Sequence, residues 1–246
     1  MIEVKNLKKL YGKRAVVNDL SLTVGKGSVF GFLGQNGAGK TTTIKMMTGI
    51  SKPDAGTITI GGKDSSDISM RENIGFMPEA PYFYDRLTGL EFLEFCGSLF
   101  AKHKTENEYL GVLRDLGIYE ARNRAINTYS KGMKQRLGFA QVLVNDPGYI
   151  FLDEPLDGLD PLGRRGIKKI ITELKARGKT VFFNSHILYD TEEICDEIGV
   201  IHEGKLLYSG PVKEFCNGWP LEKRFVEMVE SRSRSTRIRV NPLLKT

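Results

Sequence analysis

The chain has 246 residues, 40% of them hydrophobic, and a formal net charge of +6. This length supports a well-buried core in one large or two intimately joined domains, and no run reaches the roughly 18 apolar residues that a membrane-spanning helix needs. Met1-Ile2-Glu3-Val4-Lys5 lacks a signal peptide's apolar centre, and Cys96, Cys195 and Cys216 form no CxxC pair, so a cytosolic chain with reduced, buried thiols is expected.

From the start of the chain, Ile2 to Val24 reads as short antiparallel strands turning at Tyr11-Gly12-Lys13, with clear alternation in Leu20-Ser21-Leu22-Thr23-Val24. Val29-Phe30-Gly31-Phe32-Leu33 reads as a buried strand, and Thr42 to Thr48 as a helix stopped by Gly49. Between them lies Gly34-Gln35-Asn36-Gly37-Ala38-Gly39-Lys40-Thr41, a glycine-rich loop closed by Lys-Thr. Glycines let backbone N–H groups turn toward phosphates, and the helix N-terminus adds partial positive charge. Lys40 can then reach the β- and γ-phosphates and Thr41 a Mg²⁺ ion, so this segment, through Thr42, points to ATP or GTP chemistry.

Thr57-Ile58-Thr59-Ile60 alternates ahead of a Gly61-Gly62 turn, and the charged stretch Lys63 to Arg71 leads to Ile74-Gly75-Phe76-Met77-Pro78. The pattern then becomes helical. Thr88 with Glu91, and Thr105 with Glu108, form capping-box signatures, so about residues 80–146 read as a helical insert. Three apolar runs follow, Tyr149-Ile150-Phe151-Leu152, Thr180-Val181-Phe182-Phe183 and Gly199-Val200-Ile201, and suit parallel strands joined by crossover helices. One such helix is well punctuated: Asp160 as N-cap, Pro161 at its first position and Gly178 as its stop. The implied core is doubly wound α/β. Glu203-Gly204 makes a further hairpin turn, and a helix from Leu221 precedes an irregular tail. Arg232, Arg234, Arg237 and Arg239 hold much of the positive charge; no aromatic residue is interleaved to stack bases, so nucleic acid is not an expected partner.

The first apolar run of that trio delivers Asp153-Glu154 to its C-terminal end, where open α/β sheets bind ligands. Asp153 can coordinate Mg²⁺, and Glu154 can polarise the water attacking a γ-phosphate. Between the loop and this pair stands Tyr129-Ser130-Lys131-Gly132-Met133-Lys134-Gln135-Arg136. In that order and spacing the three motifs resemble the ATP-binding-cassette (ABC) family, whose LSGGQ signature precedes the second acidic motif by a short helix. The resemblance covers Met1 to about Pro211. It implies a P-loop NTPase (RecA-like) core with an antiparallel β subdomain and the α-helical insert, as an ATPase domain over residues 1–220, with 221–246 as C-terminal helix and basic tail.

What the resemblance implies can be followed residue by residue. Tyr11 matches the aromatic position that stacks on adenine, Asp157 lies in the D-loop match Leu156-Asp157-Gly158-Leu159-Asp160, and His186 matches the switch histidine near the γ-phosphate. Glu79 stands where most members place glutamine, and its carboxylate could still face the metal or its water, at a different charge. Lys131 and Met133 replace a signature glycine and the glutamine, whereas Ser130 and Gly132 are kept. This YSKGM-type signature is similar to the ABC-2 exporter branch. The implied mechanism is ATP hydrolysis by a head-to-tail pair, with Ser130 and Gly132 of one subunit covering ATP on another copy or a homologous subunit. A separate multi-span permease is then needed, contacted near Glu79 to Tyr84, and would hold the chain on the cytoplasmic face of the membrane. The alternative is a soluble ABC ATPase acting on a nucleic-acid or ribosomal assembly.

Overall fold

The computed structural model describes residues 1–100 and 104–240, with side chains through Arg232 apart from 101–103. Alternation, offset by register shifts between Val4 and Leu7 and between Leu20 and Val17, buries Ile2, Val4 and Leu7 of β1 (Ile2–Tyr11) and Val17, Leu20, Leu22 and Val24 of β2 (Arg14–Val24). The two pair antiparallel. β3 (Val29–Leu33) is buried along its whole length and leads through the phosphate loop into α1 (Lys40–Met47). β4 (Ala55–Ile60) and β5 (Lys63–Asp64) complete a four-stranded sheet in the order β2-β1-β4-β5. The charged stretch that follows holds a short helix, α2 (Ile68–Arg71), whose Asp67 cap accepts a hydrogen bond from the Ser69 N–H.

After β6 (Ile74–Met77) come α3 (Gly89–Ser98) and α4 (Glu106–Asp115), both opened by the expected capping boxes, and α5 (Lys131–Leu143), capped by Ser130. The chain then runs through β7 (Tyr149–Asp153), α6 (Pro161–Ala176), β8 (Thr180–Ser185), α7 (Leu188–Ile194) and β9 (Glu197–His202). It ends its described part with β10 (Lys205–Pro211), α8 (Val212–Cys216) and α9 (Leu221–Val240).

The second sheet has the order β10-β9-β3-β8-β7-β6 and is parallel except for the β9–β10 hairpin. Its central strands are apolar on both faces because both are covered. Phe30, Phe32, Phe151 and Phe182 pack toward the four-stranded sheet, with Phe30 stacked on Phe182 at 5.3 Å. Val29, Val181, Phe183, Ile150 and Leu152 join the core that includes α3, α4, α5 and α6. The registers set Leu33 beside Ser185 and Asp153 beside Asn184. Three strands therefore end together at one edge.

Two boundaries differ from expectation. α1 begins at Lys40, two residues before the expected Thr42, because Gly39 takes a φ of 110° and serves as its cap. The helix from Leu221 runs on to Val240 and so takes in the arginine–serine stretch; the irregular tail expected after it lies outside the described residues. Among the described residues no helix is long and apolar enough to cross a membrane.

Candidate nucleotide-binding site

At the common edge of β3, β7 and β8 lies a cleft of about 490 Å³. Its lining comes from Gln35, Asn36, Gly37, Gly39, Lys40, Thr41 and Thr42, with Glu79 after β6, Glu154 and Asp157 after β7, His186 after β8 and Val16 of β2. Gly34 and Ala38 are buried in the wall behind it. Gly34 has to lack a side chain, since a Cβ there would stand 2.5 Å from the Ile201 carbonyl oxygen. Gly39 is doubly constrained, by its positive φ and by the Val16 carbonyl oxygen 2.6 Å from the place of a Cβ.

Lys40 is buried and folded back over its own loop, donating to the Gly34 carbonyl at 2.8 Å. Its ammonium also lies 3.3 Å from Glu154 Oε1. A phosphate entering the loop therefore competes with Glu154 for Lys40. Glu154 has a φ of 49°, a left-handed conformation unfavourable for a side chain of this kind, and is fixed there by its neighbours. Its N–H donates to Asn184 Oδ1 at 2.7 Å, and its Oε2 accepts from the His186 N–H at 3.2 Å and lies 2.9 Å from His186 Nδ1. The far nitrogen of the ring, Nε2, is 3.7 Å from Asp157 Oδ1.

Thr41 Oγ1 donates to Asp153 Oδ1 at 3.1 Å, and Asn184 Nδ2 donates to the same oxygen at 2.6 Å. These are hard oxygen donors of the kind Mg²⁺ takes. The described residues hold no cluster of three or more His, Cys, Asp or Glu side chains able to hold a metal ion.

The residues singled out in the sequence fall into two groups. Asn36, Gly37, Gly39, Lys40, Thr41, Thr42, Glu79, Glu154, Asp157 and His186 line one cleft, and Asp153 stands directly behind it. Ser130 and Gly132 do not line it: Ser130 Oγ caps α5 by accepting from the Met133 N–H at 3.2 Å, and beyond its chain neighbours and its own helix backbone nothing described lies within 4 Å of the place of a Cβ on Gly132. Tyr11 is exposed near the β1–β2 turn and outside the lining, which Val16 enters from the same hairpin. Sequence reasoning gave no role to Val16 or Asn184. Only Asn184 left a signal, a polar residue inside the apolar run Val181-Phe182-Phe183 that ends at Ser185.

A strand, a phosphate loop and a helix, joined at one sheet edge by a Thr–Asp pair and a strand-ending glutamate, define a P-loop nucleotide-binding protein. Residues 17–157 match the ABC transporter family, and the chain belongs to that family. It is 47% identical over 199 residues to an uncharacterised ABC transporter ATP-binding protein of Synechocystis, covering 79% of this chain and 56% of that protein. The chain thus spans little more than half the length of that relative. It is 36% identical to the lantibiotic transport ATP-binding protein SrtF of Streptococcus pyogenes over 92% of this chain and 96% of that one. A solved ATP-binding subunit of an ABC transporter superposes with a TM-score of 0.83 at 30% identity, over 93% of this chain and 99% of that chain.

Proposed function

We propose that the chain is the ATP-binding and hydrolysing subunit of an ABC-2-type exporter, working as a head-to-tail pair with a second copy or a homologous subunit. The observation that carries this reading is the division of the site: the cleft gathers the phosphate loop with Glu154 and His186, whereas Ser130 and Gly132 stand away from it at the start of α5. One chain offers two half-sites. Loop N–H groups and the α1 N-terminus receive the phosphates, and Lys40 exchanges Glu154 for the β- and γ-phosphate oxygens. Thr41 and Asp153 would hold a Mg²⁺ ion, with Glu79 toward it or its water, and the ion would offset phosphate charge. Glu154, released from Lys40 but still held by His186, polarises the attacking water. Tyr11 supplies a ring for adenine, and Ser130 with the Gly132 N–H covers the partner's γ-phosphate. Closure of the pair pulls on a separate membrane permease, and loss of phosphate lets it reopen.

The export reading draws support from the YSKGM signature, from Glu79 and from the likeness to a lantibiotic transport protein. The permease contact was expected near Glu79 to Tyr84. Tyr82 and Tyr84 are exposed there and continue edge-on to the exposed Phe95 of α3, with centroids 5.8 and 5.3 Å apart. Phe83 points the other way, buried against Phe92.

Size-exclusion chromatography with Mg-ATP tests the pairing. Glu154→Gln is expected to bind ATP, slow turnover by about 100-fold or more and elute as a dimer. Adding Ser130→Ala should return it to a monomer that still binds nucleotide. A Glu154→Gln protein that stays monomeric and hydrolyses normally overturns the reading.

A further inference from the structure

Two side chains one helical turn apart on α5 grip the loop that follows β7. Gln135 is buried and donates through Nε2 to the Pro155 carbonyl at 2.8 Å. Lys131 lays its ammonium where a side chain at position 158 would stand, since a Cβ on Gly158 would lie 1.7 Å from Lys131 Nζ. Residues four apart share a helix face, so both contacts come from one stripe of α5. Among the described residues no ion pair or side-chain hydrogen bond is seen for the Lys131 ammonium, which lies against Gly158. The gripped loop is stiffened by an Asp157 N–H to Glu154 carbonyl bond of 3.1 Å and carries Asp157, which faces His186 Nε2. His186 in turn holds the Glu154 carboxylate.

Lys131 is also the residue next to Ser130. The family's usual residue at its position is glycine, which has no side chain to reach the loop. We infer that Lys131 is a positioning residue: with Gln135 it makes the start of α5 and the loop from Glu154 to Gly158 move as one body. Occupancy of Ser130 and Gly132 by the partner's nucleotide is thereby passed to Asp157, His186 and Glu154 in the chain's own cleft. The link runs inside one chain, from the half-site it lends to the half-site it owns. It rests on the two-copy reading above.

The test uses Lys131→Ala in the full chain. Lys131 is exposed, so its truncation leaves the core intact. Three readings are taken: ADP affinity of the monomer, ATP-driven dimerisation in the Glu154→Gln background, and turnover against ATP concentration. ADP affinity is expected within about twofold of the parent, with kcat lowered about 5- to 10-fold and the Hill coefficient falling from above one toward one. Gly158→Ala reports on the same contact from the other side. It should cost less kcat in the Lys131→Ala background than alone, because the ammonium it would strike is gone and only the strain of an alanine at a φ of 61° is left. Unchanged kcat and Hill coefficient in Lys131→Ala, or ADP affinity lost in step with kcat, overturns the inference. If Glu154→Gln itself fails to dimerise with Mg-ATP, the two-copy reading fails and takes this link with it. A parent pair that dimerises and turns over cooperatively, alongside an unaffected Lys131→Ala, removes the link alone.

Discussion

Asn184 is fully buried and serves two carboxylate residues at once. Its Nδ2 fixes the Asp153 oxygen that Thr41 also touches, and its Oδ1 takes the N–H of Glu154. Asn184→Ala leaves the buried Glu154 N–H without its partner, at a cost of about 1–3 kcal/mol, and leaves the Asp153 oxygen with Thr41 as its remaining side-chain donor. We expect a clear drop in the thermal midpoint together with weaker Mg²⁺ dependence of nucleotide binding, measured by calorimetry with and without the ion. Asn184→Asp should fail differently, since two carboxylates would then share one hydrogen-bonding position. The cysteines, by contrast, carry no chemistry at this scale. Burial pushes the Cys96 thiol up to about 11 and raises Cys195 well above its ordinary value, so in the folded chain neither should be alkylated appreciably at pH 8 by iodoacetamide.

The elements of the insert depend on caps more than on their own propensity. α3 and α4 are ten residues each, short enough that an isolated helix would be marginal in water. Thr88 and Glu91 exchange hydrogen bonds at 2.8 and 3.2 Å, and the Thr105 N–H donates to Glu108 at 2.8 Å. These backbone N–H groups hold both glutamates below their ordinary value of 4.5. A carboxyl whose folded value is lowered stabilises the fold above its unfolded value, and that stabilisation disappears as pH falls through the folded one. The destabilisation caused by Glu91→Ala should therefore be full at pH 7 and shrink below about pH 4.5. Thermal melts of both proteins from pH 7 to pH 3 measure the difference; a gap that stays constant across that range would detach the cap from α3 stability.

At the scale of the whole molecule, the exposed Tyr82, Tyr84 and Phe95 lie on the insert, away from the buried Lys40, Asp153 and Glu154. Tyr82→Ser with Tyr84→Ser is expected to abolish recovery with the co-expressed permease while leaving basal hydrolysis within about twofold, since a polar change on an exposed face disturbs the fold little. Phe83→Ser would confound the experiment by opening a cavity against Phe92. Removing residues after Ser231 deletes the arginine-rich stretch but keeps Leu221, Phe225 and Val229, which seal α9 onto β9 and α8. Permease-dependent recovery should survive that truncation in moderate salt, where loose attraction to anionic lipid is screened. Recovery with ribosomes that disappears on truncation, with no dependence on a permease, would favour the soluble alternative.

Local chemistry and periodicity made the linear motifs legible: a glycine run between a strand and a helix, capping residues three apart, an Asp-Glu pair ending an apolar run. Each rests on backbone geometry within a few residues, which the sequence by itself determines. The same locality misled at the margins. The expected permease contact near Glu79 to Tyr84 takes in both Tyr82 and Phe83, and only the packing of α3 leaves one outward and turns the other onto Phe92. The places of Val16 and Asn184, and the Lys131 contact with Gly158, depend on segments far apart in the chain. Strand order and register decided them: only when β3, β8 and β7 lie side by side do Thr41, Asn184 and Asp153 meet. Periodicity shows which face of an element seeks cover, but the covering partner is chosen by the summed burial of the whole sheet, and no short window contains that sum.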